Sequence, residues 1–302
     1  MRVAAVDLGT NSTRLLVADV ADGRVEEVER AVTITGLGEG VDARGKLLPL
    51  PLARVRNCLA GYRRTIEELG AERVLALGTS AVRDADNGEA FLGEVEWSYG
   101  FTTRLLSGEE EARLTHAGAT LGLPPAADPL VVDLGGGSTE LVTRERAVSV
   151  DVGSVRLTEQ LGEDVEAIAA RVRERLPGGF ERTSAIGVAG TITSLAALDL
   201  DLPAYDRERV HGHRLTVGAI QAQLERLAAL PLEERERLPA LEPKRAPFIV
   251  AGATIVREVL RRYGLRELEA SERDLLHAGA LEAAHLPEPA EGDVPPGAYT
   301  CC

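Results

Sequence analysis

The segment Asp7-Leu8-Gly9-Thr10-Asn11-Ser12-Thr13-Arg14-Leu15 lays over Asp133-Leu134-Gly135-Gly136-Gly137-Ser138-Thr139-Glu140-Leu141, matching Asp, Leu, Gly, Ser, Thr and Leu in register. A lone Asp-x-Gly between apolar runs is an ordinary hairpin turn. Two matched copies are a stronger constraint, because each follows an apolar strand and each opens one half of the chain. They predict a duplicated domain whose two turns face each other across a cleft.

The composition of the turns points to phosphate. Glycines and small hydroxyl residues leave consecutive backbone N–H groups exposed as a concavity for anionic oxygens. Asn11, Ser12, Thr13, Ser138 and Thr139 add side-chain donors. Asp7 and Asp133 cannot bind phosphate directly; a strand-end aspartate beside a phosphate is suited to hold a divalent cation, often through water.

Strand and helix signals succeed each other along the whole chain, which predicts α/β layers. Strands are expected at residues 2–6, 13–20, 25–35, 74–77, 102–106, 130–134, 139–143, 147–152 and 185–188. Apolar residues at Leu52, Val55, Leu59, Tyr62, Ile66 and Leu69 mark an amphipathic helix ended by Gly70. Further helices are expected near 89–99, from Ser107-Gly108 onward, and near 165–176, 191–198, 217–227, 246–263 and 274–285, with residues 78–84 left as a loop. The break Pro124-Pro125-Ala126-Ala127-Asp128-Pro129 sets the predicted boundary. It gives a first domain over 1–125 and a second over 126–286, with a disordered tail over 287–302.

Composition excludes several classes. At 302 residues, 44% apolar and 27% charged, the chain is long enough for two packed domains and too apolar to be disordered. A net charge of −14 argues against nucleic-acid polymers as partners. No sustained apolar run suits a membrane span or a signal peptide, so a cytoplasmic protein is expected. Cys58, Cys301 and Cys302 build neither a disulfide framework nor a zinc motif.

The segments DLGTNSTRLLVADV, GTSAVRDADN, LSGEEEARLTHAGA, VVDLGGGSTELV, VDVGSVRLTE, GVAGTITSLAAL and VHGHRLT, in this order, resemble the exopolyphosphatase and guanosine pentaphosphate phosphohydrolase family. That family sits within the sugar kinase, Hsp70 and actin superfamily. The resemblance runs from about Arg2 to about Ala284 and is most specific in SGEEEA and DLGGGSTE together. It implies duplicated actin-like (ribonuclease H-like) domains with mixed sheets flanked by helices. It also implies hydrolysis of a terminal phosphate by water with Mg2+ (or Mn2+), on inorganic polyphosphate or on guanosine pentaphosphate. Guanosine tetraphosphate is a further partner it allows, and a homodimer is compatible with it. Longer members continue into a helical region resembling metal phosphohydrolase domains, so short polyphosphate is the expected substrate of this chain.

By motif, the resemblance makes Glu111 the catalytic base and Asp133, Glu140 and Asp7 the metal and water-positioning carboxylates. Arg83 becomes a contact for the phosphate chain. Asn11, Ser12, Thr13, Gly135, Gly136, Gly137 and Ser138 cradle the scissile phosphate. Gly190 and Thr191 open a helix whose N-terminus suits a further phosphate or the nucleoside side of a nucleotide.

Each residue also has a plain structural explanation. Glu109, Glu110 and Glu111 suit the first turn of a helix through its dipole, and two of them are accepted as that. Arg83 can pair with Asp84 or Asp86, Thr191 can be an N-cap, and Glu140 can be an exposed strand charge. His211 and His213 lack further ligands and are read as hydrogen-bonding residues rather than a zinc pair; Thr115, His116 and His277 are read as packing or surface residues. Two other functions share the phosphate-binding turns: an acceptor-dependent ATP kinase, and a non-catalytic alarmone sensor. Glu111 argues against the first, and Glu111, Asp133 and Glu140 together argue against the second.

Overall fold

The computed structural model describes residues 1–124 and 126–287. The predicted tail, apart from Pro287, lies outside the described residues, as do Cys301 and Cys302. The chain divides into two units, one of Met1–Leu114 with the segment that begins at Leu275, the other of Thr115–Asp274.

In the first unit, β1 (Arg2–Leu8), β2 (Ser12–Ala21) and β3 (Arg24–Ile34) form an antiparallel meander, and β4 (Arg73–Gly78) and β5 (Thr102–Leu105) extend it in parallel on the other side of β1. The order is β3-β2-β1-β4-β5. The central strand β1 is buried on both faces, which is why it reads as an unbroken apolar run. Its alternate residues serve different cores. Ala4, Val6 and Leu8 pack under the helices Pro49–Leu69 and Gly88–Tyr99 with Val55, Leu59, Phe91 and Val95. Val3 and Ala5 pack with Leu275, Leu276, Ala278 and Ala280 of the helix Leu275–Ala283.

That last helix corrects the expected division at 125/126. It closes the second face of the first sheet, where Arg73 Nη1 donates to Ala284 O at 2.8 Å and Arg104 Nη1 to Glu282 Oε2 at 2.7 Å. The other crossing falls at Leu114/Thr115, inside the helix Gly108–Ala119.

The second unit holds β6 (Leu130–Leu134), β7 (Thr139–Val142), β8 (Ala147–Val150), β9 (Ala185–Val188), β10 (Arg214–Thr216) and β11 (Glu267–Ala270), in the order β10-β11-β9-β6-β7-β8. An antiparallel meander β6-β7-β8 is again followed by parallel strands beside its first member. The first sheet's order is thus repeated by β8-β7-β6-β9-β11, with β10 added at the edge, and the duplication read from the two Asp-Leu-Gly segments is a duplication of topology. The central helix is Ile249–Arg262, which packs against the helices Val165–Arg175 and Val217–Ala229. Among the described residues no helix is long and apolar enough to cross a membrane.

Candidate active site

The two repeated turns close in the same way. Gly9 N donates to Ser12 O at 3.1 Å, and Gly135 N donates to Ser138 O at 3.0 Å. In both copies the aspartate sits at the end of the first strand, opposite the residue that follows the threonine: Asp7 faces Arg14, and Asp133 faces Glu140. Gly9, Gly135, Gly136 and Gly137 keep out of the positive-φ region. The turns need these glycines for open backbone rather than for left-handed geometry.

Here the two copies part company. Arg14 Nε donates to Asp7 Oδ2 at 2.7 Å, forming a nearly buried ion pair in the first unit. In the second unit the same place holds two carboxylates, Asp133 and Glu140, directly across the ladder with their side chains on one face. They are 7% and 1% exposed, respectively. Two buried acids side by side are costly unless compensated. Thr115 Oγ1 donates to Asp133 Oδ2 at 3.0 Å, and Ser149 Oγ to Glu140 Oε1 at 2.6 Å. Glu140 is therefore not an exposed strand charge.

Thr13 and Thr139 turn their hydroxyls inward. Thr13 is fully buried with its hydroxyl against that of Thr35 at 2.9 Å, and Thr139 is fully buried and donates to Val152 O. Strand alternation puts both on the inner face. Asn11 and Ser12 are half-buried, and the Asn11 carbonyl accepts from Thr35 N and Gly36 N.

The glycine turn of the second unit is buttressed from behind. Ser154 N donates to Gly135 O, and Val155 N and Arg156 N donate to Gly136 O, so the first N–H groups of the helix Ser154–Leu161 are spent on the turn. Arg156 Nε adds a bond to Gly137 O at 2.7 Å. Gly153, in ordinary extended backbone, is pressed against Gly136 and Gly137.

The acidic run resolves into three roles. Glu110 closes a capping box: its Oε2 accepts from Ser107 N at 2.9 Å and from Ser107 Oγ at 2.8 Å. The Ser107 backbone bond, with the hydroxyl and Arg104, holds its carboxyl below the usual range. Glu109 pairs with Arg113 on the exposed face at 2.7 Å. Glu111 alone is withdrawn, 8% exposed, and its Oε2 accepts from Arg83 Nη1 at 2.8 Å. Arg83 thus pairs with Glu111 as well as donating to Leu106 O, and it ends a short helix, Ser80–Arg83, where a loop was expected.

At the predicted second phosphate position the helix Gly190–Asp199 has Ala189 as its N-cap, at φ 72° and ψ 168°, a strained conformation for a residue with a side chain. Thr191 is therefore inside the helix and not its cap. A Cβ on Gly190 would overlap the Arg245 guanidinium. His211 Nδ1 accepts from Glu272 N at 3.2 Å and His213 Nε2 lies 2.7 Å from Asp199 Oδ2, the hydrogen-bonding roles expected. His277 is buried and lies 3.0 Å from Glu27.

Among the described residues no group of three or more His, Cys, Asp and Glu side chains forms a metal cluster. The donors that fit a hard divalent cation are the oxygens of Asp133 and Glu140, a set that needs water or phosphate oxygens to complete it. Sequence reasoning does not single out Ser149, Gly153 or Arg14, and it makes Thr115 a packing or surface residue where the structure bonds its hydroxyl to Asp133. Thr115 carried a signal, since it stands four residues after Glu111.

Two matched Asp-Leu-Gly turns on repeated sheets, with one glutamate of an acidic run withdrawn from solvent, define an α/β phosphate-handling protein. Residues 16–281 match the Ppx/GppA phosphatase family. The chain is 38% identical to exopolyphosphatase 2 of Mycobacterium tuberculosis over 315 residues, covering 94% of this chain and 98% of that one. A Ppx/GppA family member of Aquifex aeolicus superposes with a TM-score of 0.75 at 30% identity, covering 94% of this chain and 97% of its own. An exopolyphosphatase from Cytophaga hutchinsonii, at 23% identity, shares the fold with a TM-score of 0.85 over 94% of this chain and 97% of its own. The chain belongs to the Ppx/GppA phosphatase family, and it is a phosphatase enzyme.

Proposed function

We propose that this phosphatase is an exopolyphosphatase, releasing orthophosphate from the end of inorganic polyphosphate. One observation carries the chemistry: of three consecutive glutamates, each paired with an arginine, only Glu111 is drawn out of solvent. In this reading Glu111 orients a water and accepts its proton as the new P–O bond forms and the bridging P–O bond to the rest of the chain breaks. Arg83 holds the Glu111 carboxylate in place through its Nη1, and it meets the phosphate chain. The backbone N–H groups of Gly135, Gly136 and Gly137, with Ser138, hold the terminal phosphate.

Asp133 and Glu140 would hold Mg2+ (or Mn2+), which when bound neutralises phosphate charge and draws electron density from phosphorus. Asp7 is the weaker member of the expected set because Arg14 already engages its Oδ2. The exopolyphosphatase reading is supported by the 38% identical relative of that name. Orthophosphate release from short polyphosphate, long polyphosphate and guanosine pentaphosphate, measured side by side, tests it. Polyphosphate should be the better substrate, and a clear preference for guanosine pentaphosphate 5′-hydrolysis would replace this reading with the nucleotide one.

A further inference from the structure

Asp133 is held from outside its own sheet. The hydroxyl that reaches its Oδ2, from Thr115, is fully buried and belongs to the helix that carries Glu111. Four residues apart, Glu111 and Thr115 lie on the same side of that helix, about one turn from each other. A buried threonine in a helix ordinarily gives its one proton to the carbonyl four residues back. Thr115 instead gives it to Asp133 at 3.0 Å. The neighbouring acid is treated alike: Glu140 accepts from Ser149, its cross-strand partner on β8, at 2.6 Å. Two adjacent buried carboxylates thus each have one oxygen fixed by a hydroxyl.

We propose that Thr115 is a positioning residue for a divalent cation at Asp133 and Glu140. By fixing one oxygen of Asp133 it sets the rotation of the carboxylate, so a cation meets the same oxygen in the same direction each time. Groups that orient metal ligands in this way usually matter almost as much as the ligands themselves, and losing one costs about 10- to 100-fold in metal affinity. The inference rests on the reading of Asp133 as a cation-binding carboxylate, and its test separates the two.

Mn2+ binding to the full chain without substrate is followed by electron paramagnetic resonance titration for the wild type and for Thr115→Val, Thr115→Ala, Thr115→Ser and Asp133→Asn. Val keeps the size and Ala does not, and both remove the hydroxyl. Both should weaken Mn2+ binding by about tenfold or more, while Ser, which restores the hydroxyl, should stay within about twofold of wild type. The Mg2+ concentration for half-maximal orthophosphate release should rise by the same factor in Val and Ala, with kcat at saturating Mg2+ largely kept. A folded Thr115→Val or Thr115→Ala protein that binds Mn2+ as tightly as wild type would overturn the proposal, even if its melting temperature fell. If Asp133→Asn loses Mn2+ binding while the Thr115 variants keep it, only the role of Thr115 fails. If Asp133→Asn binds Mn2+ normally, the cation reading beneath it fails as well.

Discussion

Replacing Gly153 by alanine adds one methyl group where the second unit has no room for it. The backbone there, φ −127° and ψ 158°, is open to any residue, so conformational strain plays no part. The obstacle is space: a Cβ would lie 2.5 Å from Gly136 C and closer still to Gly136 O and Gly137 C. Comfortable separation is about 3.5 Å or more, so the turn and the helix Ser154–Leu161 must part by about 1 Å. That movement stretches the bonds from Ser154 N to Gly135 O and from Val155 N and Arg156 N to Gly136 O, now 2.9 to 3.1 Å long. Overpacking and one or two weakened bonds together should cost about 2 to 4 kcal/mol of stability. Activity should fall further than stability, by about 10²-fold, because the displaced groups are those proposed to hold the terminal phosphate. Urea denaturation and orthophosphate release measure the two effects. Gly61→Ala is the control: no heavy atom lies within 4 Å of its Cβ, and it sits inside the helix Pro49–Leu69. It should leave activity alone and gain up to about 1 kcal/mol. If Gly153→Ala stayed within about 0.5 kcal/mol of wild type and near full activity, the close approach of the helix to the turn would not matter as argued.

Chelation should stop turnover, and Mg2+ or Mn2+ should restore it; full activity in excess chelator would remove the cation from the scheme. Short polyphosphate should be used at least as efficiently, per chain end, as long polyphosphate, because arginines near the proposed site are already engaged. Arg113 pairs with Glu109 and Arg156 bonds Gly137, on a chain of net charge −14. Gel analysis of partial digests should therefore show a ladder of intermediates, whereas long chains vanishing without intermediates would reveal a polymer track. Ser107→Ala should cost about 1 kcal/mol in thermal denaturation by removing the capping hydroxyl, with Glu111 chemistry otherwise intact.

The duplication was legible because it is written twice in register, and the topology of both meanders followed from it. Strands β10 and β11 were not: they are three and four residues long, and Glu267 and Glu269 interrupt the apolar signal. The helix Leu275–Ala283 was found, but its place against the first sheet depends on partners such as Val3 and Ala5, more than 250 positions away in the chain, as read from the numbering. Thr13 and Thr139 were read as ligand donors, although strand alternation already put them on the side away from their neighbours. The choice of Glu111 within the acidic run needed the resemblance. What the structure adds is the physical sorting: Ser107 captures Glu110, Arg113 captures Glu109, and Glu111 is left to Arg83. Ser149 stayed hidden because a hydroxyl partner of a carboxylate has no sequence mark until the register is known, and the spacing of Thr115 from Glu111 gave its helix face but not its partner.

The central claim is that Glu111 activates the attacking water, and single-turnover orthophosphate release from short polyphosphate with saturating Mg2+ tests it most directly in Glu111→Gln. The amide keeps the size and can still accept from Arg83 but cannot take a proton from water, so the rate should fall by about 10² to 10⁴ with substrate binding and the unfolding midpoint little changed. Near-normal release by Glu111→Gln, with the loss appearing in Glu110→Gln instead, would contradict the account.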